Sequence, residues 1–92
     1  PPQEPVEFIP KLASAVDAAP AVERTARELA TQAVETGLAS GRNPAGFAAA
    51  CIEVAAVEHG TDVLQFELAA AADVCPVTVR TQRDALLAEE WV

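Results

Sequence analysis

The sequence predicts an all-α fold of five helices, with one central helix buried by the others and the last two forming a helix-turn-helix. Three observations carry this. Alanine, the strongest helix former and a residue depleted in strands, fills 21 of the 92 positions, while three Phe and one Trp supply all the aromatic bulk. Apolar residues recur at helical intervals along most of the chain. The stretch "FAAACIEVAAV" is apolar almost all round, and a helix of that kind too short for a membrane must be surrounded by other helices.

The elements follow in order. "PPQEP", residues 1–5, reads as a proline-rich linker, and residues 6–92 read as a single domain. A first short helix starts near Pro10, since proline suits a first helical turn, with Phe8, Ile9, Leu12, Ala13 and Val16 facing inward. Pro20 opens the second helix. Val22, Ala26, Leu29, Ala30, Ala33 and Leu38 form its inner stripe, and Gly37 and Gly41 frame its stop. Its solvated face holds Glu23, Arg24, Arg27, Glu28, Thr31, Gln32 and Glu35, with Glu23 and Arg27 spaced for a helical ion pair.

Asn43 is a good N-cap and Pro44 a good first residue for the third helix. From Phe47 to Val57 only Glu53 interrupts its apolar surface, and His59 serves as a polar helix end. Asp62 with Gln65 resembles a capping box for the fourth helix, whose buried stripe is Leu64, Leu68, Ala69 and Ala72. The turn "ADVC" leads to the fifth helix, with Cys75 as N-cap and Pro76 in the first turn. Val79, Leu86 and the stem of Arg83 lie on one side of it; Val77, Arg80, Thr81 and Asp84 lie on the other. The helix-turn-helix spans about residues 64–88.

Composition narrows the function. The formal net charge is −8, from 14 carboxylates against one Lys and five Arg. The carboxylates are dispersed among abundant apolar residues, which is the pattern of a folded acidic surface and not of a disordered tail. Such a surface suits a very salty cytoplasm, where charge repulsion is screened over a few ångströms. No apolar run is long enough to span a bilayer, so the expectation is a cytoplasmic protein without a membrane partner. The chain has no Met and begins with Pro, which points to an excerpt from a longer protein.

Catalysis finds no support among the residues. One His is present, with no glycine-rich phosphate loop and no nucleophile elbow. Cys51 and His59 are separated by about 12 Å of helix rise, too far for a nucleophile and its base. Cys51 and Cys75 with His59 cannot make up a four-ligand zinc site, so no metal or cofactor is expected and both thiols read as reduced. What remains is the helix-turn-helix. A helix presenting small side chains and arginine fits a major groove about 12 Å wide, and arginine can hold guanine through two hydrogen bonds. Many helical hairpins look alike for packing reasons alone, so the local pattern leaves a structural role open.

"GRNPAGFAAACIEVAA" joined to "LQFELAAAADVCPVTVRTQRDAL" resembles the transcription factor IIB family, and within it archaeal transcription factor B. The family pattern is a glycine, a basic residue, any residue and a proline before a helix of small residues. A threonine–glutamine, an AxxAxV run and a VTIR-like start to the last helix follow. This chain offers Gly41, Arg42, Asn43 and Pro44, then Gln65, Ala69 and Val74, then Val77, Thr78, Val79 and Arg80. "FIPKLASAV" is similar to the family's opening helix, and the match covers residues 5–88, as the second of two cyclin-like repeats.

The resemblance implies a five-helix cyclin-like fold and recruitment instead of catalysis. Family members bind a complex of TATA-binding protein with promoter DNA and bring in RNA polymerase. The last helix of the second repeat enters the major groove upstream of the TATA box, at the B recognition element. Family base-contact positions fall on Val77 and Arg80, with Cys75 close by, so the candidate DNA-binding set is Cys75, Val77, Thr78, Arg80 and Thr81. Polymerase recruitment would pass through the rest of the full-length protein.

Some positions depart from the family. Leu64 and Cys75 stand where threonine caps are common, which moves the first cap to Asp62; Gln82 stands for a basic residue and Arg83 for an aromatic one. From Leu64 to Leu87 two cations, Arg80 and Arg83, face three carboxylates, Glu67, Asp73 and Asp84, a poor electrostatic footprint for DNA. In high salt, however, phosphate attraction fades and an acidic surface costs little, so the acidity points to a salt-loving archaeon. The competing expectation is a diverged cyclin-like module that docks proteins and no longer reads DNA.

Overall fold

Prolines begin three of the five helices. The computed structural model describes residues 3–89. Helices α1 (Ile9–Ala15), α2 (Pro20–Thr36), α3 (Pro44–Glu58), α4 (Gln65–Ala72) and α5 (Pro76–Ala88) follow a 3-10 turn at Pro5–Phe8. In α2, α3 and α5 proline is the first helical residue, where its missing N–H is not needed. Of the residues read as a linker, Pro1 and Pro2 lie outside the described residues. Pro5 is buried and begins the 3-10 turn, closed by the Glu4 amide donating to the Glu7 carboxylate at 3.0 Å. Helical order thus begins ahead of Pro10, and Ile9, Leu12 and Ala13 are the buried residues of α1, with Phe8 and Val16 at its edge.

α3 is the central helix. Nine of its residues are buried, from Gly46 through Ile52 and again at Ala55 and Ala56, and it packs on every other helix and on the 3-10 turn. Eleven of the twenty buried apolar residues are alanine, so neighbouring helices pack largely through small side chains. Such a core has little slack: added volume there is expected to cost more than the same change between leucines. Phe47, Ile9, Ile52, Leu68 and Leu86 supply the larger fillers. The apolar run ends outside the core, however. Val57 is 72 % exposed, on the outer side of a last turn whose Ala55 and Ala56 are still buried.

The inner stripe of α2 is Val22, Ala26, Ala30 and Ala33, with Leu29 and Leu38 half-buried beside it. Gly37 ends the helix at φ 84°, a left-handed conformation that glycine adopts without strain. Glu23 and Arg27 do not pair; both ion pairs among the described residues use Arg83. Arg27 is exposed, and an ion pair with a solvated arginine gains too little Coulomb energy to offset the ordering of two long side chains. His59 does close the end of α3, its Nε2 lying 2.7 Å from the Thr25 hydroxyl of α2.

The start of α4 differs from the expected capping box. Its N-cap is Leu64, which is 52 % exposed and has no capping side chain, so Leu64 does not belong to the buried stripe. Asp62 lies two residues upstream in an irregular segment. That segment is fixed by Thr61, whose amide and hydroxyl both donate to the Ala56 carbonyl, at 2.8 and 3.2 Å. Gln65 then falls at the first helical position and turns to Glu53 of α3 instead of back to Asp62. Asn43 behaves as expected, its Oδ1 accepting from the Gly46 amide at 2.9 Å.

These two positions should separate in a stability measurement. Asn43→Ala is expected to cost about 1 kcal/mol in urea denaturation, the usual worth of an N-cap. Asp62→Ala should change the midpoint by nothing measurable, since Asp62 caps no helix.

Candidate nucleic-acid interface

The turn between α4 and α5 is made by Asp73, at φ 59°, with the Val74 amide donating to the Ala69 carbonyl at 2.9 Å. Aspartate is one of the few residues that tolerate this left-handed geometry. Cys75 then takes the extended N-cap position and Pro76 starts α5. α5 packs against both α4 and α3, and more extensively against α3. A Cβ on Gly46 would stand 3.1 Å from Thr78 Cγ2 and 3.7 Å from Val74 Cγ1, so only glycine allows this approach without a shift. Gly46 meets Thr78 near the start of both helices and Glu53 meets Arg83 near their middles, so α3 and α5 run parallel.

That seating decides which face of α5 is free. Val79, Gln82 and Leu86 are buried against the core. Val77, Arg80, Thr81 and Asp84 are exposed, and Val77 keeps 59 % of its surface in solvent. Cys75 is exposed at the turn. Thr78 is half-buried on the flank with its methyl over Gly46, so its place among the candidates is shared with packing. The structure therefore gathers Cys75, Val77, Arg80 and Thr81 on the outer side of the first two turns of α5. Among the described residues Arg80 makes no ion pair or side-chain hydrogen bond, leaving its five N–H donors for a ligand.

Two polar ties fix α5, and sequence reading found neither. Arg42, in the loop before α3, donates through Nε to the Leu38 carbonyl at 2.7 Å and through Nη1 to Gln82 Oε1 at 2.9 Å. Gln82 is the one buried polar side chain among the described residues, and this bond satisfies it. Its position between Val79 and Leu86 on the inner stripe was the available signal. The second tie centres on Glu53, whose carboxylate accepts from Gln65 Nε2 at 3.2 and 3.3 Å and lies 3.6 Å from Arg83 Nη1. Arg83 does not simply lay its stem on the core, because this carboxylate on α3 draws the guanidinium to the flank of α5.

Among the described residues no three His, Cys, Asp or Glu side chains come together to hold a metal ion, and no helix is long and apolar enough to cross a membrane. Cys51 is buried in α3, and its desolvation pushes the thiol up to about 12.

The class of protein this defines is an all-α, cyclin-like repeat whose C-terminal helix-turn-helix turns one face of its last helix to solvent. The chain belongs to the family of the transcription factor TFIIB repeat, whose model it matches over residues 1–89. It is 45 % identical over 87 residues to Transcription initiation factor IIB 5 of Halobacterium salinarum, covering 95 % of this chain and 28 % of that protein. It is 48 % identical over 79 residues to Transcription initiation factor IIB of Pyrodictium occultum, covering 86 % and 26 % respectively. Transcription initiation factor IIB 2 of Haloferax volcanii is 38 % identical over 86 residues, or 94 % of this chain and 26 % of that protein. The chain thus spans about a quarter of the length of the curated relatives it matches.

The two cysteines give a test of this packing. In the native state a thiol reagent should modify Cys75 rapidly and Cys51 only after unfolding. In the unfolded chain Cys51 ionises in the ordinary thiol range, whereas the folded chain keeps its proton up to about 12. Stability from this group is therefore complete below that ordinary range and is lost as pH rises toward the folded value, by up to about 1.4 kcal/mol per pH unit. Denaturation midpoints followed into alkaline pH should show this fall, and Cys51→Ala should remove its Cys51 component.

Proposed function

We propose that this chain is the second, promoter-reading repeat of a transcription initiation factor, with residues 6–92 as the repeat and residues 1–5 as a linker ahead of it whose last residue, Pro5, is anchored in the fold. In this role α5 enters the major groove upstream of a TATA box, at the B recognition element, alongside TATA-binding protein. RNA polymerase is then recruited through the rest of the full-length protein, in the cytoplasm and without catalysis by this chain. The single observation that carries the proposal is the outer face of α5. Arg80 and Val77 stand clear of the core, one turn apart, on a helix whose opposite side is fixed by Val79, Gln82 and Leu86.

The residue roles follow from chemistry. Arg80 supplies the planar fork that suits a guanine edge, and Val77 an apolar contact to a base methyl or edge. Thr81 and Thr78 flank them, and Cys75 lies at the turn; Pro76 has no N–H and the Thr78 and Val79 amides donate to the Cys75 carbonyl, which leaves the Val77 amide to meet a phosphate there. With a net charge of −8, sequence-independent attraction to DNA is small, so selection depends on base contacts and on TATA-binding protein. The initiation-factor names of the relatives, two of the three from halobacteria, support this reading and the salt-loving source that the acidity suggests. A second reading, a protein-docking module without base reading, draws on Leu64 and Phe66, both exposed on the helix-turn-helix.

One experiment separates the two. Binding of the chain and of Arg80→Ala is measured with TATA-binding protein on a TATA duplex carrying the upstream element or a scrambled version, from low to near-saturating KCl. The expected result is a preference for the upstream element that persists at high salt and falls by about 1–3 kcal/mol in Arg80→Ala. Binding indifferent to both upstream sequence and Arg80 would transfer the role of this face to a protein partner.

A further inference from the structure

We infer that Glu53 acts with Asp84 as an internal counter-ion that withholds Arg83 from DNA phosphates, so that α5 meets DNA with Arg80 as its one unpaired cation; this rests on the promoter-reading proposal above. Arg80 and Arg83 are three residues apart on α5; the sequence puts Arg80 on the outer side and the stem of Arg83 on the inner one, and the structure shows what engages the Arg83 guanidinium there. Arg83 Nη1 lies 3.6 Å from Glu53 Oε2, and its Nε and Nη2 reach Asp84 Oδ1 at 3.4 and 3.2 Å. Arg80 has no such partner among the described residues.

The environment makes Glu53 the stronger of the two anions. It sits on the central helix with 13 % of its side chain exposed and is oriented by two contacts from Gln65, whereas Asp84 is a surface residue. A partly buried pair is screened by salt far less than an exposed one, so the Glu53 contact persists where phosphate attraction fades. Arg83 itself retains 31 % exposure, so a guanidinium freed from Glu53 has a path to solvent and to a phosphate beside α5. Phosphate contacts carry no sequence information. Masking Arg83 therefore lowers attraction to every DNA sequence alike and leaves the base contacts of Arg80 untouched.

Each phosphate-neutralising cation steepens the dependence of log affinity on log salt by about 0.9. The test compares salt titrations of the chain, Glu53→Gln and Asp84→Asn with TATA-binding protein on the upstream-element and scrambled duplexes. Glutamine at position 53 keeps an acceptor for Gln65, and thermal melts confirm folding at each salt concentration. Glu53→Gln is expected to steepen the slope by about 0.9, which is roughly an eightfold gain over the parent on going from about 1 M to about 0.1 M KCl. Affinity for both duplexes should rise in parallel, so the preference between them stays constant. Asp84→Asn, a surface change that cannot disturb the core, should shift the slope the same way by less.

Arg83→Ala supplies the decisive control: in its background Glu53→Gln should change nothing. An unchanged slope in both single variants overturns the inference, and so does a gain that survives Arg83→Ala, which would trace it to lost negative charge in general. An altered preference between duplexes also overturns it. Failure of the parent chain to bind either duplex overturns the promoter-reading proposal and this inference together; parent binding with unaltered variants overturns the inference alone.

Discussion

The contact between α3 and α5 at Gly46 and Thr78 sets the rest of the molecule. α3 is a helix of small side chains, so α5 can lie close along it, and the missing side chain at Gly46 lets the first turn of α5 come closer than any other residue would allow. The loop before α3 reinforces the same seat, with Asn43 capping α3 while Arg42 reaches Gln82 on the underside of α5. The run from Gly41 to Gly46 is thus a piece of docking hardware for the last helix. Its functional consequence is indirect but firm: by fixing Val79, Gln82 and Leu86 inward, it fixes Val77, Arg80 and Thr81 outward.

Charge acts on this frame in two ways. A net charge of −8 opposes DNA over distance, yet the repulsion is screened within a few ångströms in concentrated salt. Close to the helix, what matters is which cations are already paired. Arg42 is tied to Leu38 and Gln82 and Arg83 is held by carboxylates, whereas Arg80 stands apart. Under the proposed promoter-reading role, this charge pattern favours selection by shape and base contact over long-range attraction, with affinity supplied by a partner.

Local signals were legible in the sequence wherever one residue decides a local event. Pro20, Pro44 and Pro76 start helices because their backbone is preset, Asn43 caps because its side chain reaches its own helix, and the apolar band from Phe47 to Ala56 has no solvent-facing side. The outward face of α5 followed from spacing. Asp62 misled because the start of α4 is fixed by the hydrogen bonds of Thr61 to Ala56, a tertiary constraint that a capping pattern does not contain. Gln82 was hidden by its polarity although it lies on the apolar stripe, and the partner of Arg83 lies on another helix. Periodicity gives the face of a residue and not what waits across from it.

The most direct test of this account is a double-mutant cycle between Gly46→Val and Thr78→Ala, measured by denaturant unfolding. Valine at position 46 adds volume where 3.1 Å is already taken up by the Thr78 methyl, so a loss of about 1–3 kcal/mol is predicted. Thr78→Ala should recover a large part of that loss, with a coupling energy of at least about 0.5 kcal/mol. Strictly additive effects would contradict the account, because α5 would then be seated on α3 by something other than this contact.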